Sequence, residues 1–136
     1  MSMKTVAEKL LIKPKTTLWL SDAEHLGLIG SLPVEVRIVD ELEQATTAVV
    51  FAADGASVRA TLTTHTGHLN HPTNLWVAYP KANRTDVNRD TLWPILAEYG
   101  LRPITQIAVD DVWSALRFRP LKEGEAPFTG GRQRVS

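Results

Sequence analysis

Residues 47–79, TAVVFAADGASVRATLTTHTGHLNHPTNLWVAY, decide the fold. Thr47 to Ala52 is a continuous apolar run of strand length, and Leu75 to Tyr79 is a second one, stopped by Pro80. Strands apolar at every position are covered on both faces, the habit of parallel sheets in α/β proteins. Between them Asp54 is placed to cap a helix in which Val58, Leu62 and Leu69 keep near-helical spacing. Asn70 to Asn74 then forms the turn into the second strand. Strand, helix, strand in that order makes a parallel pair joined by a right-handed crossover.

Upstream, the same alternation runs in shorter pieces. Thr5-Val-Ala-Glu8 fits a capping box, with Leu10 and Leu11 on the buried side of a short helix that Pro14 ends. Thr16 to Leu20 reads as a strand. Ser21-Asp-Ala-Glu24 reads as a second capping box, opening a helix that runs to about Ile29 and stops at Gly30. Val34 to Val39 alternates apolar and charged residues, as a half-exposed strand does. Asp40 to Ala45 is an acidic link with room for about one helical turn.

Downstream, Lys81 to Asn88 reads as a polar loop, followed by a helix to Tyr99 with Gly100 just beyond it. Pro94 inside that helix predicts a late start or a kink. Ile104–Val109 and Val112–Arg119, joined at Asp110 and Asp111, predict an antiparallel hairpin. Residues 121–136, rich in Gly, Pro and charge, read as a disordered tail. The expectation is one α/β domain over residues 1–120. It is a Rossmann-like three-layer sandwich whose six-stranded, mostly parallel sheet has the order 2-1-3-4-6-5 and ends in an antiparallel hairpin. The 40–46 link is shorter than the dozen or so residues usual for a parallel crossover, so the order would fail if strands two and three proved to be neighbours.

Composition narrows the function. The 136 residues carry 15 basic and 15 acidic side chains and no cysteine. That removes disulfides, thiolate chemistry and Cys-ligated metal, and the balanced charge removes the basic footprint of a nucleic-acid binder. No run approaches the ~18 apolar residues of a membrane span. Glu8 and Lys9 interrupt what would be a secretory h-region. A soluble cytoplasmic domain is expected, with a small anionic molecule or a protein as partner, and neither nucleic acid nor membrane.

From about Ala7 to Leu121 the chain resembles a family of small bacterial proteins, frequent in actinobacteria and known as a domain of unknown function. The residues are Leu11-Ile-Lys-Pro14, Leu75-Trp-Val-Ala-Tyr-Pro-Lys81, Asp86-Val87, Tyr99-Gly-Leu101 and Ala108-Val-Asp-Asp-Val-Trp-Ser-Ala-Leu-Arg-Phe118. The likeness implies no catalytic residues. Lys15 stands where glycine is common in related sequences, which argues against a tight turn before the first strand. More distantly, Lys-Pro before the first strand and a closing antiparallel hairpin resemble the methyltransferase version of the Rossmann fold. That likeness implies a nucleotide-sized crevice. A nucleotide or S-adenosylmethionine site needs glycines after the first strand, however. Here the segment is Ser21-Asp-Ala-Glu-His-Leu-Gly27, and Asp22 and Glu24 already occupy the positive end of the helix. No cofactor is expected.

Ligands of such sheets gather beyond the carboxyl ends of the strands. The candidate ligand-binding residues there are Lys81, Arg84, Asp86, Asp110 and Trp113. Lys81 and Arg84 are the best-placed cations for an anionic ligand, set against the plainer reading of a solvated loop. Asp110 and Asp111 are an acid–base pair or simply turn formers. Lys81 and Asp110 should share one end of the sheet, across a groove lined by Trp113 and Tyr79, and settle into a salt bridge. His65, His68 and His71 could share a helix face, but they read as a polar helix end and no metal site is expected. Asp40 sits where a ribose-binding acid would lie, without the glycine loop that would give it meaning. Ser21, Ser57 and Ser114 lack any hydrolase signature, and Arg117 and Arg119 read as the polar face of the last strand. The leading expectation is a non-catalytic or weakly ligand-binding module with a regulatory or interaction role. The alternative is an enzyme acting on a small anionic substrate through strand-end Asp and Lys residues.

Overall fold

The computed structural model describes residues 5–69, 71–81, 89–121 and 124–125. Its centre is the unit the sequence announces. Strand β3 (Thr47–Phe51) and strand β4 (Asn74–Pro80) are buried at every position and pair in parallel. Helix α3 (Gly55–Thr64) crosses between them, opened by a reciprocal capping box in which Asp54 accepts from the Ser57 N–H and the Ser57 hydroxyl accepts from the Asp54 N–H. Strand β1 (Thr17–Leu20) lies on the other side of β3, and β2 (Arg37–Ile38) lies outside β1, all parallel. Strands β5 (Leu101–Ala108) and β6 (Trp113–Pro120) form the closing hairpin, with β6 inserted antiparallel against β4. The order is β2-β1-β3-β4-β6-β5, an α/β Rossmann-like sheet.

Strands two and three are therefore not neighbours, despite the short link. The reason is that β2 forms only two ladder residues: Glu35 takes a positive φ of 60° and the Val36 N–H turns back to the Pro33 carbonyl. The chain then crosses β1 through a 3-10 turn, Leu42–Gln44, whose buried Leu42 packs on the sheet. Thr17 secures the crossing, its hydroxyl donating to the Gln44 carbonyl at 2.7 Å and accepting from the Thr46 N–H at 3.0 Å.

Two apolar clusters lie on opposite faces. On one, α3 and helix α4 (Arg89–Ala97) set Val58, Leu62, Leu92 and Leu96 against Val50, Val77, Leu116 and Phe118. Pro94 lies inside α4, where it withholds the N–H that would bond the carbonyl four residues back. On the other face, helices α1 (Val6–Lys9) and α2 (Leu26–Ile29) bring Ala7, Leu10 and Ile29 against Leu18, Val49 and Trp76. The Thr5–Glu8 capping box forms as read, but Leu11 is turned out of the core with a φ of 65°.

Lys15 has a φ of 64°, so the tight turn is made where glycine would be the natural choice, by a lysine. Of the segment read as a disordered tail, residues 122–123 and 126–136 lie outside the described residues. Gly124 and Glu125 do not behave as a free tail: Arg102 and Arg119, opposite each other in the hairpin register, both grip the Glu125 carboxylate at 2.6–2.8 Å.

Candidate functional site

The order of strand addition reverses between the parallel β1 and β3, and their carboxyl ends flank the switch point at which open α/β sheets bind ligands. The expected Ser21–Glu24 capping box is not what forms there. Asp22 caps a 3-10 turn, Ala23–His25, by accepting from the Glu24 N–H at 3.0 Å. Ser21 reaches sideways instead, and its Oγ accepts from the Phe51 N–H at 2.7 Å. This ties the loop after β1 to the last residue of β3.

The tie delivers His25 onto the strand ends. Its ring centroid lies 4.7 Å from that of Phe51 and 5.2 Å from that of Trp113, and the latter two meet edge to face at 5.9 Å. These are ordinary aromatic packing distances. His25 Nε2 also faces Asp22 Oδ2 at 3.6 Å, with both side chains partly exposed. An imidazole and two aromatic rings thus sit at the crevice where glycine-rich backbone would otherwise approach a cofactor. His25 and Phe51 escaped the sequence reading. The only signal was His25 inside the glycine-poor segment after the first strand.

The residues proposed from sequence are placed as follows. Lys81 lies at the same end of the sheet as the hairpin link, its N–H donating to the Val112 carbonyl at 2.6 Å. Asp110 is exposed and its Oδ1 accepts from the N–H groups of both Val112 and Trp113, at 2.8 and 2.7 Å. That is the work of a turn former. No ion pair joins Lys81 to Asp110 or Asp111, contrary to the expected bridge. Trp113 and Tyr79 cannot line one groove, because they lie on opposite faces: Tyr79 packs under α3 and α4, Trp113 beside Phe51. Arg84 and Asp86 lie outside the described residues.

At the opposite end, His65 packs its ring against Trp19 at 4.9 Å, a structural use. Among the described residues no group of three or more His, Asp or Glu side chains is arranged to hold a metal ion. Glu41 and Glu43 share a hydrogen bond: with the Glu43 charge it raises Glu41 above the usual carboxyl value, whereas Glu43 is lowered, first by its own backbone N–H. A cavity of about 540 Å³ also lies at this end, bounded by Thr66, Leu69, Tyr99, Leu101 and Leu121. Among the described residues no helix is long and apolar enough to cross a membrane.

No family model matches the chain, and no curated protein matches it in sequence. Solved structures do match in shape. A protein of the NADB-Rossmann superfamily from Streptococcus agalactiae superposes with a TM-score of 0.57 at 12% identity, covering 96% of this chain and 72% of that one. A putative tRNA (m1A22) methyltransferase from Streptococcus pneumoniae gives 0.52 at 13% identity, covering 96% and 70%. The tRNA methyltransferase TrmK of B. subtilis gives 0.51 at 13%, covering 90% and 68%. The chain has the frame of Rossmann-fold methyltransferases, at a distance. At such identities the likeness carries the fold alone.

Proposed function

We propose that this protein is a Rossmann-like module of methyltransferase topology that works by binding, in a regulatory or interaction role, and not by cofactor chemistry. One observation supports this above the others: the ring of His25 seated on Phe51 and Trp113 at the switch point. A cofactor entering there would have to displace packed aromatic surface and the Ser21–Phe51 hydrogen bond. The carboxylate of Asp22, already at the start of the 3-10 turn, adds repulsion against a phosphate. The alternative, an enzyme acting on a small anionic substrate, is the less favoured reading, because Asp110 uses its Oδ1 to hold the hairpin turn. The same reading takes LWVAYPK and AVDDVWSALRF as marks of a small bacterial family built on this filled frame.

The test is a thermal-shift titration with S-adenosylmethionine, S-adenosylhomocysteine, NAD and ATP. A ligand at ~100 times its dissociation constant stabilises a protein by about 2.7 kcal/mol, a shift of several degrees in a domain of this size. The expected outcome is no shift with any of the four. A saturable shift with the intact protein, enlarged by His25→Ala, would overturn the proposal.

A further inference from the structure

Arg117 does not lie on a polar outer row. It pairs in register with Trp76 of β4 and lies, half-buried, beside the apolar cluster that α1 and α2 cover. Leu116 and Phe118 go to the other cluster, so β6 is covered on both faces. Arg117 Nη2 donates to Asn74 Oδ1 at 2.8 Å. Asn74 is itself 6% exposed, and its amide nitrogen is used by the Leu11 carbonyl and the Thr47 hydroxyl at 3.3 Å each, which fixes the oxygen toward the guanidinium. This buried amide is the arginine's hydrogen-bond partner among the described residues. Its Nε is sealed from solvent without an acceptor. Buried polar groups are ordinarily bonded, and buried charges ordinarily meet an opposite charge.

A cavity of about 320 Å³ opens beside this guanidinium, between α1 and the hairpin, with Lys9, Leu11, Trp76, Thr105 and Ile107 on its walls. Lys9 Nζ donates to the Ala108 carbonyl at 3.2 Å and has two further hydrogens to give. Glu8 also reaches the wall, with its Oε1 held by the Thr5 N–H at 2.9 Å. Two cations against one carboxylate leave a single net positive charge, which suits a monoanion better than a phosphate carrying nearly two charges. The rest of the wall is Thr105, two aliphatic side chains and the nearly buried Trp76 indole. We propose that this cavity is a binding site for a small carboxylic acid with an apolar or aromatic body. Its carboxylate meets Arg117 and Lys9, and its body lies against Leu11 and Ile107, above the buried Trp76 ring. The site is separate from the switch point, and its occupation does not depend on what the His25 cluster does.

The test is an NMR titration of the intact chain with benzoate, hexanoate and indole-3-acetate, against benzamide and phenyl phosphate. At least one carboxylate should saturably shift the Trp76 indole N–H and the amides of Lys9 and Thr105, with benzamide and phenyl phosphate at least tenfold weaker. Arg117→Met should cost at least tenfold in affinity, with a lower melting temperature, because the buried Asn74 Oδ1 loses its donor. Lys9→Gln, an independent change, should weaken binding several-fold. The proposal falls if no carboxylate perturbs these signals, if benzamide binds as well as benzoate, or if Lys9→Gln leaves affinity unchanged. An Arg117→Met protein that folds and keeps the parent's affinity would likewise overturn it, and if that variant fails to fold, Lys9→Gln decides.

Discussion

The two faces of the sheet are closed by different means. On one, α3 and α4 have ten and nine residues, and their buried Val58, Leu62, Leu92 and Leu96 cover the strands with apolar contact. On the other, α1 and α2 have four residues each, and a charged side chain and a cavity sit beneath them. A four-residue helix has no stability of its own. Here α1 is held by the burial of Ala7 and Leu10 and by the Trp76 indole, which donates to the Leu10 carbonyl at 2.9 Å. Both faces keep a cavity, but of different kinds: the one of about 540 Å³ lies beyond the ends of α3 and α4, beside Leu69 and Leu101, whereas the one of about 320 Å³ lies against the strands themselves, beside a guanidinium.

The sharpest way to break this comparison is to truncate leucines on both faces. Leu62, fully buried under α3, should lose about 2–5 kcal/mol on change to alanine, the range for core leucines in tight packing. Leu11, 36% exposed at the cavity rim, should lose under about 1 kcal/mol. Urea unfolding measures both, and equal losses would mean that the faces are packed alike.

An intermediate effect is expected from Trp76→Phe. It removes the donor to the Leu10 carbonyl and leaves that acceptor buried, at a cost of about 1–3 kcal/mol. Hydrogen exchange locates the damage: the amides of Leu10 and Ile12 should lose protection before those of β4. Uniform loss across the sheet would show that α1 is not held in this way. A smaller change of opposite sign is expected at Lys15. A non-glycine residue at its φ of 64° carries roughly 1–2 kcal/mol of strain, and the added freedom of glycine when unfolded takes back 0.5–1. Lys15→Gly should raise stability by up to about 1 kcal/mol.

What was legible in the sequence follows the same division. The unit from Thr47 to Pro80 could be read because its strands are apolar throughout and Asp54 with Ser57 makes an unambiguous cap. Alternation and the closing hairpin gave the sheet's class, and the likeness to the methyltransferase version of the Rossmann fold supplied the strand order. The other face was harder. Glu35 and Val36 bend the chain out of a strand that simple alternation would extend, leaving Arg37 and Ile38. Arg117 was misread because an alternating pattern implies a solvent face, whereas β6 is an interior strand between β4 and β5. The place of β6 in the sheet already held that correction. The seat of His25 could not be read, since it depends on Phe51 and Trp113 from two other strands. No local pattern reports such a meeting.

The smallest predicted effect lies outside the well-covered face, where Arg59 of α3 grips Glu98 just after α4 with contacts of 2.6 and 3.1 Å. The Arg59 hydrogen bonds hold the Glu98 carboxyl below its ordinary value. A carboxyl with a lower value folded than unfolded adds stability that is fully present above its unfolded value near 4.5. That increment fades as the pH falls through the folded value. Both side chains are about half exposed, so water and salt screen the pair, and its contribution is small at any pH. Arg59→Gln should therefore leave the melting temperature nearly unchanged at pH 7 and in high salt. Its trace should instead appear as a shallower fall in melting temperature between pH 5 and 3 at low salt than the parent shows. Identical acid profiles would mean that the fork is a contact without energetic consequence, and that α3 and α4 are held together by Val58, Leu62, Leu92 and Leu96 beneath it.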